Sequence, residues 1–404
     1  MTSTTMSVAE TRPVATLERV TFGLLLAFVA SLQISIALAN ILLTGMLLGW
    51  VALLVRDRTK PQAPRFFVPL LAYAAWTLVS TAFSYNFAVS LADDKQLVLL
   101  LIVPAVYMLA RAERASTVVD VIVSVGAASA AFGIIQYGML HYDNLGQRPQ
   151  GALTHYMTYS GVLMLVICAA TSRLTFGRGD RTWPALVMPA LVVALALTFT
   201  RSAWVGACAA VALLLALRNF RLLGVLPIVV AVMFALAPDS LTARMASVFN
   251  LQDPTNRDRV AMMRTGTAMI EARPLVGMGP NMIPRMYAEY RDPSAVNAVN
   301  PHLHNVPLQI AAERGLPALA LWLWFVITAI AGLWRIFRTG SNPILAAAGL
   351  AAVTAMLAAG LFEYNFGDSE FLMLFLVLVT LPFAARTDPA TADDQNGAAA
   401  HAAR

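Results

Sequence analysis

The chain has 404 residues, of which 59% are hydrophobic and 12% charged, with a formal net charge of +6. A soluble domain carries roughly 25% charged residues, so a water-soluble globule of this length is excluded and the lipid bilayer is the expected solvent. Of the 28 basic residues all but Lys60 and Lys95 are arginine, a bias that fits either a GC-rich genome or phosphate recognition by guanidinium forks.

A helix needs about 20 apolar residues to cross the hydrocarbon core. In chain order the apolar runs predict twelve spans, beginning with Val20–Ala39, Ile41–Val55, Phe66–Phe83, Gln96–Ala110, Val118–Leu140 and Tyr156–Ala170. Trp183–Thr198, Ala203–Leu217, Leu222–Ala237, Leu316–Trp334, Ile344–Leu361 and Phe371–Ala385 follow. Several are short, so their ends are expected to extend into the flanking residues. Ala37-Leu38-Ala39 resembles a signal-peptidase site, but the second span starts almost at once and an uncleaved anchor is expected. No repeat of 20–50 residues is visible. Cys168 and Cys208 both lie in apolar runs, which supports neither a disulfide framework nor a metal cluster.

Orientation follows from the loops. One alternate set holds 17 basic residues, while the short loops of the other hold only Lys95, Arg148 and Arg201. The first side is therefore expected to be the cytoplasm, with both termini on it. The chain then divides into a cytoplasmic segment 1–19, nine spans in 20–237, a periplasmic loop subdomain 238–315, three spans in 316–385 and a disordered tail 386–404. The expected fold class is all-α and polytopic, with about 12 transmembrane helices and the large loop before the tenth.

That loop carries Arg244, Arg257, Arg259, Arg264, Arg273, Arg285, Arg291 and Arg314. Asp253-Pro254 reads as a helix start with an early-turn proline. A helix from there to Ala272 puts Arg257 and Arg264 seven residues apart, on one face. Arg273-Pro274 stops it, Gly277-Met278-Gly279-Pro280 turns, and a second helix is expected near Asn305 with Pro307 in its first turn.

Arg201 sits in a minimal connection between two spans, where an ionisable residue is expensive and marks function, unless it is a snorkelling anchor. Lys95 follows Asp93-Asp94 and reads either as a local ion pair or as a phosphate contact. Arg148, in a turn-rich loop, divides between solvated surface and the same role. His302 and His304 stand beside the membrane two residues apart, so they cannot share a helix face. With no His-Glu-x-x-His pattern and no accompanying cysteine or carboxylate pair, no metal site is expected. One of them could instead act as a general base. The acidic pair Glu363 and Asp368/Glu370 in the last external loop is a weak candidate site and reads first as solvated surface. No phosphate-binding glycine loop or dinucleotide fingerprint is present, and neither a cofactor nor a nucleic-acid partner is expected.

Two stretches then become recognisable. Arg264 through Pro274-Leu275-Val276-Gly277-Met278-Gly279-Pro280 resembles the Arg…Pro-Leu-x-Gly-x-Gly signature of the O-antigen ligase/polymerase superfamily. His304-Asn305-Val306-Pro307-Leu308-Gln309, with Glu313-Arg314-Gly315-Leu316, is similar to its His-Asn-x-x-Leu-Gln…Glu-x-Gly-Leu segment, and Thr200-Arg201-Ser202 resembles its Arg-Ser at a span start. The resemblance implies a metal-independent, GT-C-like glycosyltransferase that moves a glycan from undecaprenyl diphosphate to an acceptor at the periplasmic face of the inner membrane. It implies that Arg201 and Arg264 hold the diphosphate and that His304 is the general base, with His302 in reserve. Lys95, Arg148 and Arg257 are added from position. For a ligase the implied acceptor is lipid A–core oligosaccharide. An O-antigen polymerase and a pilin O-oligosaccharyltransferase share the donor. A transporter, which would want mid-span charges and broken helices, keeps only Pro104, Pro189 and Pro227 in its favour.

Overall fold

The computed structural model describes residues 11–386 apart from Arg178, Asp180, Ala237, Val248, Phe249, Leu251 and Ser341. The tail beyond Arg386 lies outside the described residues. Among those residues every regular element is helical.

The first two helices, α1 (Thr11–Ser31) and α2 (Ile36–Asp57), pack on each other. Their junction lies at residues 32–35, not at Asn40. Ser35 caps α2 by accepting from the Leu38 amide, and the buried Gln33 donates through Nε2 to the Ile122 carbonyl at 3.1 Å. A polar residue tied across the bundle marks the turn, while Asn40 continues the helix, and Ala37-Leu38-Ala39 lie in the opening turns of α2.

Next come α3 (Phe67–Ala82) and the short α4 (Phe87–Asp93). The expected fourth span is a 3₁₀ stretch, Asp94–Leu101, running into α5 (Ile102–Leu109). Pro104 falls in the first turn of α5, where its missing N–H costs nothing. Eight residues at about 2.0 Å and eight at about 1.5 Å cover roughly 28 Å, close to the hydrocarbon thickness.

Helices α6 (Arg114–Met139), α7 (Tyr156–Phe176), α8 (Thr182–Leu197) and α9 (Arg201–Arg218) follow the expected spans, and a 3₁₀ turn leads into α10 (Val225–Leu236). Ile228 and Val232 of α10 are largely exposed, as befits a helix whose apolar sides meet lipid. The remaining spans are α14 (Val306–Thr339), α15 (Pro343–Gly360) and α16 (Ser369–Ala384). Among the described residues, six helices are long and apolar enough to cross a membrane, and four shorter apolar helices accompany them. The protein is an all-helical, polytopic membrane protein.

The centre of the bundle is α7, α15 and α16, buried nearly all round. Alanines and glycines along α15 let its neighbours approach closely: a Cβ at Gly206 of α9 would stand 2.9 Å from the Ala355 carbonyl.

Between α10 and α14 lie α11 (Asp239–Ala246), α12 (Pro254–Ala272) and α13 (Ile283–Tyr290). Asp253 caps α12 as expected, accepting from the Thr255 and Asn256 amides, and Asn305 caps α14 with Pro307 in its first turn. α11 and α13 were not foreseen, and α14 begins ten residues before the expected span, bending at Gly315 (φ 82°).

A backbone splice fixes this insert to the bundle. The Met278 and Gly279 amides donate to the carbonyls of Ala312 and Glu313 at 2.9 and 2.8 Å, and the Leu316 amide to Pro274 at 2.8 Å. Ser80 and Ser90, from α3 and α4, donate to the Val276 and Pro280 carbonyls. Beneath it Arg314 is buried, with Nη1 2.6 Å from Glu313 and Nη2 3.4 Å from Asp93. Gly277 (φ 68°) and Gly315 permit the close approach, since a Cβ on either would fall within 2.5 Å of opposing backbone. Gly340 has a similar φ of 69° but open space around it. Gly277→Ala or Gly315→Ala is therefore expected to cost about 3 kcal/mol or more, and Gly340→Ala only about 1 kcal/mol. Thermal unfolding of the three variants in detergent measures the difference.

Candidate functional site

Two clusters meet at the end of the bundle that carries the insert. The first gathers around Glu363, in the turn between α15 and α16. Its Oε1 accepts from His302 Nε2 and its Oε2 from His304 Nδ1, both at 2.9 Å, and the two imidazole centroids are 4.2 Å apart. Burial opposes the Glu363 charge, but His304 and His302 outweigh it and hold the carboxyl well below the usual carboxylate range. An ionised carboxylate can only accept, so a proton of His304 sits on Nδ1, and it is Nε2 that carries the lone pair in the neutral imidazole.

The loop is built to hold that arrangement. His304 has φ 48°, a left-handed conformation costly for a side-chain-bearing residue. The Leu303 amide donates to Gln309 Oε1 at 2.7 Å, and Asn305 Nδ2 donates to the Leu361 carbonyl at 3.1 Å. A hollow of about 250 Å³ adjoins the cluster, lined among others by His155, Thr158, His302, Glu363 and Asp368. Burial pushes the His155 pKa down and the Asp368 pKa up, and Thr158 donates to the Asp368 carboxylate.

The second cluster is of arginines. Arg201, only 5% exposed, donates through Nη1 to the Ser247 carbonyl at 2.9 Å and through Nη2 to Asp253 at 3.3 Å. It tethers α9 to the start of α12 and does not snorkel. Arg244 lies 3.9 Å from the other Asp253 oxygen. Burial lowers its pKa to about 10, aided by the charges of Arg201 and Arg148. Burial likewise lowers Arg148, whose guanidinium stacks 4.2 Å above the Tyr156 ring and feels Arg201. Arg259 completes the group. It shares a hollow of about 50 Å³ with Arg201, Asn256 and Phe362, and it has no hydrogen-bond or ion-pair partner among the described residues, its buried Nε included. Burial lowers its pKa, against the attraction of Glu363. Val205 and Phe362, on the same hollow, are exposed.

The candidates expected from sequence therefore separate. Arg201 and Arg148 join the arginine cluster; His302 and His304 form the other with Glu363. Arg264 is 63% exposed with its guanidinium 3.8 Å from Asp292, and Arg257 is exposed as well. Both lie on the side of α12 away from Arg259, and the buried stripe Asp258, Ala261, Met262, Thr265 and Met269 runs between, about 100° from Arg257 and from Arg259 alike. Arg264 lies about 140° around the helix from Arg259 at 100° per residue. Lys95 is exposed and its charge acts on Asp93, not on the arginines.

Sequence reasoning missed Arg259, Arg244, His155 and Glu363. For Arg259 the sequence offers no local signal, because it stands as far around α12 from the buried stripe as Arg257 does. Glu363 was taken as solvated surface, but its side chain is only 12% exposed between the two histidines. The carboxylate expected to be missing beside the histidines thus comes from 59 residues downstream. Ligand-type atoms of His302, His304 and Glu363 lie within 4.8 Å of one another, near enough to share a metal ion. In the conformation described, however, each carboxylate oxygen meets an imidazole nitrogen at hydrogen-bond distance, whereas zinc ligands direct their lone pairs at one common point.

The fold and site define an integral membrane protein with an arginine cluster and a histidine–carboxylate cluster at one end of its bundle. Residues 184–323 match the O-antigen ligase family. The chain thus carries a stretch that matches the domain of the O-antigen ligase/polymerase superfamily. No curated protein matches it. The matched stretch takes in Arg201, Arg244, Arg259, His302 and His304, while Arg148 and Glu363 lie outside it.

Arg201→Lys keeps the charge but loses the fork that reaches Ser247 and Asp253 together. It is expected to lower stability by about 1–3 kcal/mol, whereas Arg264→Lys at an exposed position should stay within about 0.5 kcal/mol. Thermal melts of the purified variants compare them.

Proposed function

We propose that the protein is a metal-independent glycosyltransferase of the periplasmic face of the inner membrane. It moves an O-antigen glycan from undecaprenyl diphosphate to a sugar hydroxyl of lipid A–core oligosaccharide. The insert 238–315 then faces the periplasm between two groups of spans, and both termini face the cytoplasm, in keeping with the lopsided basic loops.

The observation that carries this is Arg259: a half-buried guanidinium whose enclosed Nε has no partner, sharing one hollow with Arg201 and drawn electrostatically toward Glu363 of the histidine cluster. Like charges so crowded are costly without a counter-anion, and a diphosphate supplies one with the bidentate geometry that arginine prefers. In the proposed step His304 Nε2 takes the proton of the acceptor hydroxyl as its oxygen bonds to the anomeric carbon. The bond from that carbon to the diphosphate oxygen breaks with its electron pair left on oxygen, and the departing polyprenyl diphosphate, one negative charge richer, is stabilised by Arg259 and Arg201. A single displacement inverts the anomeric carbon. Glu363 keeps His304 in the tautomer that leaves Nε2 free and stabilises the imidazolium that forms. Arg148 and Arg244 raise the local positive potential, with Lys95, Arg257 and Arg264 outside this first grip.

Purified protein in liposomes with the lipid-linked glycan and lipid A–core should yield ligated product. His304→Ala should lower the rate by about 10²–10⁴-fold and Arg259→Ala by about 10²–10³-fold, each at wild-type expression. Full activity in His304→Ala would remove the imidazole from the mechanism. EDTA should leave the rate unchanged; loss that zinc restores would instead make the His302–His304–Glu363 triad a metal site. If product forms only from a second lipid-linked repeat, the protein is a polymerase.

A further inference from the structure

At the opposite end of the bundle a groove of about 590 Å³ runs between the ends of α5, α14 and α16 and the start of α3. Its mouth carries Arg65, Arg335 and Arg386, brought together from three distant parts of the chain, with no acidic residue in the lining. All three are exposed, and none makes an ion pair or a side-chain hydrogen bond among the described residues. The Tyr107 hydroxyl, also in the lining, has no hydrogen-bond partner among them either. By contrast, Arg56, Arg114 and Arg173 at the same end of the bundle each have a carboxylate within 3.0 Å.

Below the arginines the groove turns apolar. Phe66, Gly332, Ile336 and Phe383 wall it, and Thr328 lies seven residues from Arg335 on the same face of α14, hence about 10 Å deeper along the axis. That face continues to the exposed Trp324. Scattered arginines at helix ends would serve to orient the chain in the membrane. Three unpaired guanidinium groups and a phenol around one recess, above an apolar trough aligned with the membrane normal, match a molecule with an anionic head and a hydrocarbon tail.

We propose that this groove binds one anionic phospholipid of the leaflet at this end, the cytoplasmic one in the orientation given above. Its phosphate sits among Arg65, Arg335, Arg386 and Tyr107, and one acyl chain lies along Thr328, Gly332 and Phe383. The site is separate from the histidine and arginine clusters, so it stands or falls independently of the transfer reaction.

The test uses the full chain in delipidating detergent, with phosphatidylglycerol, phosphatidylcholine and inorganic phosphate as probes. Phosphatidylglycerol should raise the thermal midpoint and persist as a one-to-one adduct in native mass spectra; the other two should do neither. At about fivefold per arginine, Arg335→Gln should weaken the lipid about fivefold and the Arg65→Gln/Arg335→Gln/Arg386→Gln triple variant about 100-fold. Thr328→Trp, which fills the trough and leaves the charges, should also abolish the adduct, and it serves if the triple variant fails to fold. Undiminished binding in Arg335→Gln and Thr328→Trp would overturn the proposal, as would an equal response to inorganic phosphate or to phosphatidylcholine.

Discussion

The fold of the functional end depends on one buried charge. Arg314 is enclosed with Glu313 and Asp93, and its own carbonyl accepts from Trp76 Nε1 at 3.1 Å. Removing one partner from such a group costs several kcal/mol, because the remaining charge stays buried. The network lies where α14 bends at Gly315 and where residues 274–280 cross it. It therefore sets the angle at which the first turns of α14, with the histidine loop just ahead of them, emerge from the bundle. An apolar contact at this point would tolerate sliding; a hydrogen-bonded ion triad with backbone partners does not.

That fixed angle explains how residues far apart in the chain converge. Arg201 holds the start of α12 through Asp253, so the same carboxylate caps a helix and anchors a guanidinium. Asn305 does similar double duty, capping α14 while bonding the Leu361 carbonyl two residues before Glu363. The first tether joins the insert to the start of α9, the second to the end of α15. The two clusters are thereby set on either side of residues 362–363, with Phe362 on one hollow and Glu363 on the other.

Features that depend on neighbours in the chain were legible from sequence. The apolar runs locate the spans, and the caps at Asp253 and Asn305 follow from side chains reaching amides two or three residues on. What was not legible depends on which side of a helix meets the protein. The heptad separation of Arg257 and Arg264 correctly put them on one face, but no local rule said that face turned outward. The α1–α2 junction failed for the converse reason: Gln33 reads as one polar residue in an apolar run until Ile122 is known to accept from it. Glu363 was misread as surface because its partners are about 60 residues away.

The exposed Val205 and Phe362 beside Arg201 and Arg259 have a kinetic meaning for a membrane-tethered donor. A donor held in the bilayer reaches such a hollow by diffusion within the sheet of lipid, so the search is two-dimensional and the relevant concentration is molecules per unit area. Dilution of the surrounding water would leave that encounter rate unaltered, whereas dilution of the donor among other lipids would slow it in proportion.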